Sequence, residues 1–167
     1  MSRTSTTLRR LLSLCLIAGL SACGFHLRGQ QSLPFNNLAV PGNSILATDI
    51  RRAVTSSTET RVQEEAPGAE AVLNILREQS ERVILSLNRE GRVREYQLRY
   101  LVTFRVSRAQ GGEFIPPSTI ILTRDLTYND QVLSKENEEA MLYKEMRADF
   151  VQQLMRRMAA SKPIVIG

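Results

Sequence analysis

Cys23 is the residue whose chemistry this 167-residue sequence specifies most narrowly. It follows Leu20-Ser21-Ala22 at the end of an apolar run from Leu11 to Leu20, and the preceding residues carry Arg3, Arg9 and Arg10 with no acid. A basic stretch, a short apolar stretch and a small-residue site are the three parts of a secretory signal. The run is about half of the roughly 20 residues that span a bilayer, which argues against a permanent transmembrane helix. A plain signal is cut after a small residue with no requirement for cysteine. The pattern Leu-Ser-Ala-Cys predicts instead that the Cys23 thiol is diacylated, that residues 1–22 are removed, and that the new amine is acylated. Two or three chains hold firmly, because each buried methylene contributes about 0.8 kcal/mol. Gly24 rather than Asp follows the cysteine, so the expected address is the periplasmic face of the outer membrane.

The rest of the inventory holds no catalytic set. Catalysis needs a group poised near neutral pH, a nucleophile with a base, or a metal. His26 is the only histidine and lies three residues from the anchor, where no triad member or second ligand is organised around it. Ser-His-Asp and zinc chemistry lack their parts. Glu138 and Glu139 are adjacent in a helical pattern and diverge, so they read as charges that compensate a helix dipole rather than as a glycosidase pair. Asp125 and Asp130 bracket Leu126-Thr127-Tyr128-Asn129 without the spacing or glycine of a calcium loop. Cys15 leaves with the signal, so Cys23 is the last cysteine and no disulfide or cysteine metal site is available. No cofactor is expected beyond the covalent lipid on Cys23.

Arginine stands out. From Arg77 to Arg108 there are eight arginines, four acids and no lysine. One reading is a solvated sheet face with cross-strand pairs to Glu78, Glu81 and Glu95. The other is recognition of phosphates or carboxylates, which the guanidinium fork binds bidentately. Composition leaves both open. The formal charge of +5 overstates the basic character: without the three signal arginines the mature chain has 19 basic against 17 acidic residues, or +2. A nucleic-acid binder normally shows a strong basic face, so nucleic acid is excluded as a partner.

These residues need a scaffold of about 145 residues, enough for one domain. The division expected is a removed signal at 1–22, a lipidated polar tether at 23–37 and one domain at 38–167. Leu38 to Val40 reads as an edge strand closed by Pro41-Gly42. Ser44 caps a helix over 45–57 with Leu46, Ile50, Ala53 and Val54 on one face. Glu64-Glu65 and Pro67-Gly68 mark a loop or a frayed strand. Ala71 to Leu76 and Val83 to Leu87 are one long bulged strand or two short ones, and Asn88 to Arg92 form a turn around Gly91. Tyr96, Leu98, Tyr100, Val102, Phe104 and Val106 alternate with Gln97, Arg99, Leu101, Thr103, Arg105 and Ser107, the period of a half-buried strand. A last strand begins at Pro116-Pro117 and carries Ile120, Leu122 and Leu126. Ser134 is the expected cap of a C-terminal helix with Glu136, Glu138 and Glu139 in its first turn, and Ala140, Tyr143, Met146, Phe150, Leu154 and Met158 as its apolar stripe. The fold class is therefore α+β, a two-layer sandwich in which two helices pack on one face of a mostly antiparallel four-stranded sheet, in the order βαβββα.

Three motifs carry a resemblance. Cys23-Gly24-Phe25-His26-Leu27-Arg28, the turn and strand Arg89-Glu90-Gly91-Arg92-Val93-Arg94-Glu95-Tyr96-Gln97-Leu98, and Leu133-Ser134-Lys135-Glu136-Asn137-Glu138-Glu139 together resemble the LptE family of outer-membrane lipopolysaccharide-assembly lipoproteins, from the signal to about residue 160. The resemblance implies a non-enzymatic protein that plugs a large outer-membrane β-barrel partner, the LPS-assembly protein LptD, assists its folding and binds lipopolysaccharide. The family's lipopolysaccharide-binding basic positions fall on Arg89 and Lys135, and the phosphates of lipid A suit Arg89, Arg92 and Lys135. Members often carry a long polar tail after the last helix, and with the chain stopping at Gly167 no such role is expected. The alternative is a structural or pilot lipoprotein of another envelope machine, using the arginines only for protein contacts. An anchored envelope enzyme is the third reading, against which the empty catalytic inventory stands.

Overall fold

The alternation between Tyr96 and Ser107 becomes a strand paired on both edges. Leu98, Tyr100, Val102, Phe104 and Val106 are buried, while Gln97, Arg99, Leu101, Thr103 and Arg105 are half-buried or exposed, as one core-facing side of a pleated sheet requires. The computed structural model describes residues 32–127 and 132–162, with side chains for 32–127 and 136–162. Its elements are β1 (Asn37–Ala39), α1 (Ile45–Ser57), β2 (Arg61–Gln63), β3 (Ala71–Leu87), β4 (Val93–Arg108), β5 (Glu113–Thr127) and α2 (Val132–Ala160).

The five strands lie in the order β2-β1-β3-β4-β5. β3, β4 and β5 form the expected antiparallel meander, but β1 pairs parallel with both β2 and β3. The four-stranded expectation is thus corrected to a five-stranded mixed sheet in the order βαββββα. The missed strand β2 is only three residues long. It exists because α1 returns the chain beside β1 in a crossover, the connection that parallel pairing needs, and no local alternation announces it.

α1 runs over the expected residues. The Ser44 side chain accepts from the Ala47 amide at 3.1 Å, satisfying one of the free donors of the first turn, and Leu46, Ala47, Ile50 and Val54 are buried. α2 begins at Val132, so Ser134 lies inside the helix and does not cap it, and no acid stands in the first turn. Its side chain lies outside the described residues. The stripe holds from Met146 onward, with Met146, Phe150, Leu154 and Met158 fully buried, whereas Ala140 is exposed because the first turns of α2 run beyond the core. Phe150 packs edge-on against Tyr100 and Phe104, with ring centroids 6.5 and 5.7 Å apart. Arg147 on α2 reaches Asp49 on α1 at 3.0 Å.

β3 is one long strand, with register shifts between Ile75 and Arg77 and again between Ile84 and Leu87. β5 starts at Glu113 rather than at Pro116. It is an edge strand, where the missing amides of Pro116 and Pro117 cost no ladder bond. Phe35, placed in the tether by its polar neighbours, is 2 % exposed, and its carbonyl accepts from the Thr60 hydroxyl at 3.0 Å. Packing therefore begins ahead of Leu38.

Candidate functional site

The turn between β3 and β4 is organised by Asn88. Its backbone amide donates to the Arg92 carbonyl at 2.8 Å, and the Gly91 amide donates to the Asn88 carbonyl at 3.1 Å. Its side-chain Oδ1 accepts from the amides of Glu90 at 3.1 Å and Arg92 at 2.8 Å. One short polar side chain thereby ties three residues of backbone, the local bonding that makes Asn a turn residue. Gly91 sits at φ +76, where a side chain is disfavoured.

That turn presents Arg89, Arg92 and, at the start of β4, Arg94. All three are exposed, and none forms an ion pair with a described carboxylate. Their neighbours differ. Arg82 lies over the Tyr96 ring at 4.8 Å and pairs with Glu139 at 3.1 Å. Arg99 donates to Gln97 at 2.9 Å, and Arg124 pairs with Asp149. The cross-strand pairs expected of Glu78, Glu81 and Glu95 do not form. Glu78 accepts from the Tyr100 hydroxyl at 2.6 Å, Glu81 from the Gln79 amide at 2.5 Å, and Glu95 from the Ser86 hydroxyl at 2.6 Å. Neutral donors hold the glutamates, so the turn arginines keep their charge for something else.

Lys135 falls in the first turn of α2, and its side chain lies outside the described residues. The topology still brings its helix to this end of the fold. Glu95 pairs with Thr127, α2 starts five residues later, and the Arg82–Glu139 pair fastens the second turn of α2 to β3. Arg89 and Arg92 on the turn and the start of α2, which carries Lys135, thus lie toward the same end of the sheet. Cys23 and His26 lie outside the described residues.

Two tyrosines fasten the middle of β3. Burial, aided by Glu78, pushes the Tyr100 hydroxyl above its ordinary range. Burial and then Glu139 do the same to Tyr143, whose hydroxyl donates to the Glu81 carbonyl at 2.8 Å. Both stay neutral donors at physiological pH. At the opposite pole, a cleft of about 510 Å³ between Pro34, Glu70, Arg108 and Phe114 contains none of the expected site residues. Among the described residues no cluster of His, Cys, Asp and Glu is suited to a metal, and no helix is long and apolar enough to cross a membrane.

The profile of the lipopolysaccharide-assembly family LptE matches residues 34–158, three quarters of the chain, spanning both helices and all five strands. The chain belongs to the LptE family. The LPS-assembly lipoprotein LptE of Pectobacterium atrosepticum is 28 % identical over 153 residues, covering 88 % of this chain and 80 % of that one. The solution structure of lipoprotein B of Nitrosomonas europaea superposes with a TM-score of 0.70 at 40 % identity, over 82 % of this chain and 91 % of that one. The crystal structure of rare lipoprotein B of Shewanella oneidensis gives 0.65 at 28 %, over 75 % and 95 %. LptE membership carries a non-enzymatic role in lipopolysaccharide assembly and an association with the outer membrane. The Asn88 clasp, Arg94 and the apolar end of β3 are features of this LptE pole that the sequence reading missed. Asn88 was legible, three residues ahead of Gly91 in a turn.

Proposed function

We propose that this protein is a lipid-anchored outer-membrane subunit that plugs a β-barrel lipopolysaccharide translocon, helps that barrel assemble, and binds lipopolysaccharide through Arg89, Arg92 and Lys135. The observation that carries the reading is this end of the fold: unpaired arginines on a clasped turn, at the end of the sheet from which α2 starts, in a chain of this family. Phosphates on a glycolipid headgroup match guanidinium and ammonium donors in charge and geometry. The sheet face opposite the helices is mixed, with Gln97, Arg99, Thr103 and Arg105 around Leu101 and Ile121, and its polar share suits the wet lumen of a barrel. The acylated Cys23 keeps the domain at the periplasmic base of that barrel, with LptD as the partner.

The test has two arms. The membrane-extracted, acylated chain should co-purify with a large outer-membrane β-barrel. Arg89→Glu with Lys135→Glu should weaken lipopolysaccharide binding by about 100-fold or more, since each charge-assisted contact contributes about 1.5–3 kcal/mol, with an unchanged melting curve. Unchanged binding removes the residue assignment but not the barrel. Co-purification with a different envelope machine, with no lipopolysaccharide affinity, removes the whole reading and favours a pilot lipoprotein.

A further inference from the structure

Exposed apolar side chains on this molecule are not scattered evenly. Ile84, Leu85 and Leu87 are 54 %, 48 % and 55 % exposed and fall within four residues at the far end of β3, a span of about 10 Å along a strand. Leu87 is two residues from Arg89, at most about 7 Å of chain. Arg89, Arg92 and Arg94 follow at once, three cations against Glu90 between them and Glu95 after them, the latter engaged by Ser86. Isolated exposed leucines need no explanation, whereas an apolar cluster rimmed by polar and mostly basic residues marks an interaction site.

Two occupants fit an apolar strand edge, and the geometry separates them. Among the described residues β3 pairs with β1 only at Leu38–Ala71 and Ala39–Val72, and no strand pairs with its outer edge from there to the turn. An added strand needs a continuous ladder of amides and carbonyls. β3 shifts register between Ile84 and Ser86 and again between Ser86 and Leu87, and such bulges twist an edge out of register for pairing. The ladder is broken just where the apolar side chains are most exposed. What remains is a surface with greasy side chains and no strand template, ending in cations.

We infer that Ile84, Leu85 and Leu87 form an acyl-chain contact adjoining the arginines of the turn, so that the pole recognises an anionic amphiphile by its hydrocarbon as well as by its phosphates. The inference rests on the lipopolysaccharide-binding reading and adds the apolar half of the ligand to it. The headgroup sits on Arg89, Arg92 and Arg94, and the first part of one or more chains lies along the end of β3.

The test uses the full acylated chain in nanodiscs and two probes: intact lipopolysaccharide, and its fully deacylated saccharide with the phosphates retained. Leu85→Gln with Leu87→Gln should weaken binding of the intact glycolipid about tenfold or more, the loss expected when two half-buried leucine contacts go, and leave the deacylated saccharide unaffected. These side chains lie outside the core, so the melting curve should hold. Leu85→Met with Leu87→Met should restore binding if the contact is apolar burial. Equal affinity of the Gln variant for intact glycolipid overturns the inference. So does an equal loss for both probes, which makes the leucines supports of the turn. Retained glycolipid binding with lost co-purification of the barrel overturns it as well, assigning the edge to protein contact. Failure of the unaltered chain to bind either probe defeats the lipopolysaccharide reading itself, a different result from any of these.

Discussion

Replacing Asn88 with alanine should loosen the turn without loosening the fold. The substitution removes two side-chain to backbone bonds, of 3.1 and 2.8 Å, and leaves the two backbone bonds that close the turn. Asn88 is exposed, so the freed amides of Glu90 and Arg92 turn to water rather than remaining unsatisfied. Each bond then contributes at the low end of the usual range, together about 1–2 kcal/mol. Amide hydrogen exchange is the assay that sees this locally. Exchange at Arg92 should speed up by roughly 5–30-fold, the factor equivalent to that free energy. The amides of Leu98 and Val102, in the core stretch of β4, should exchange as before, and the thermal midpoint should move little. Glycolipid affinity should fall, because Arg89 and Arg92 become less preorganised. Unchanged exchange at Arg92 would refute the clasp, and a global loss of protection would show that the turn is part of the cooperative core, against the burial pattern.

Phe150→Ala should destabilise the domain by about 3–5 kcal/mol, because the ring is fully buried and meets both Tyr100 and Phe104; chemical denaturation measures it, and a loss under about 1 kcal/mol contradicts the packing of α2 on the sheet. Alkaline pH should also weaken the fold. Tyr100 and Tyr143 have folded pKa values raised by burial, so their contribution is complete below the unfolded value of about 10 and is lost as pH rises beyond it. An ultraviolet titration should show these two phenolates forming only above the ordinary range, and Tyr100→Phe should remove part of the alkaline instability; phenolate formation by both near pH 10 in the folded protein speaks against their burial.

Periodicity made the meander and both helices legible, because burial of one face imposes a repeat that no other constraint scrambles. β4 shows it from Leu98 to Val106 and α2 from Met146 to Met158. Short parallel pairing left no such trace: β1 and β2 are three residues each, too brief for a period, and their partners are set by a crossover. Phe35 was hidden for a related reason, since a single aromatic among Pro34, Asn36 and Asn37 reads as loop until the Thr60 hydroxyl is found on its carbonyl. Ser134 misled because a good capping residue is recognised by type, while the start of the helix is decided two residues earlier. At the candidate site, charge was legible and partnership was not. The sequence offers Glu78, Glu81 and Glu95 as equally good partners for its arginines, and only the fold shows Tyr100, Gln79 and Ser86 occupying them.

Partnership is also what ranks the arginines as anion ligands. An arginine already held must break its bonds before it can bind a phosphate, whereas a free one gives up rotamer entropy of about 2 kcal/mol at most. Arg51 illustrates the first kind: it donates to the carbonyls of Val40 at 2.9 Å and Gly42 at 2.8 Å, fastening α1 to the end of β1. Arg147 joins the helices through Asp49, and Arg82 joins α2 to β3 through Glu139. Recruiting any of these to a ligand would loosen the scaffold in proportion to the affinity gained. Arg77 and Arg105 are exposed and stand opposite Thr103 and Asn74 on the open sheet face, with no such clasped turn beneath them. At the turn three free guanidiniums, Arg89, Arg92 and Arg94, fall within six residues, next to a backbone fixed by Asn88 and beyond the buried core. Binding there can be strong without a cost to stability, so charge reversal at the turn and cavity formation at Phe150 should act independently, with additive effects on the two properties they separately control.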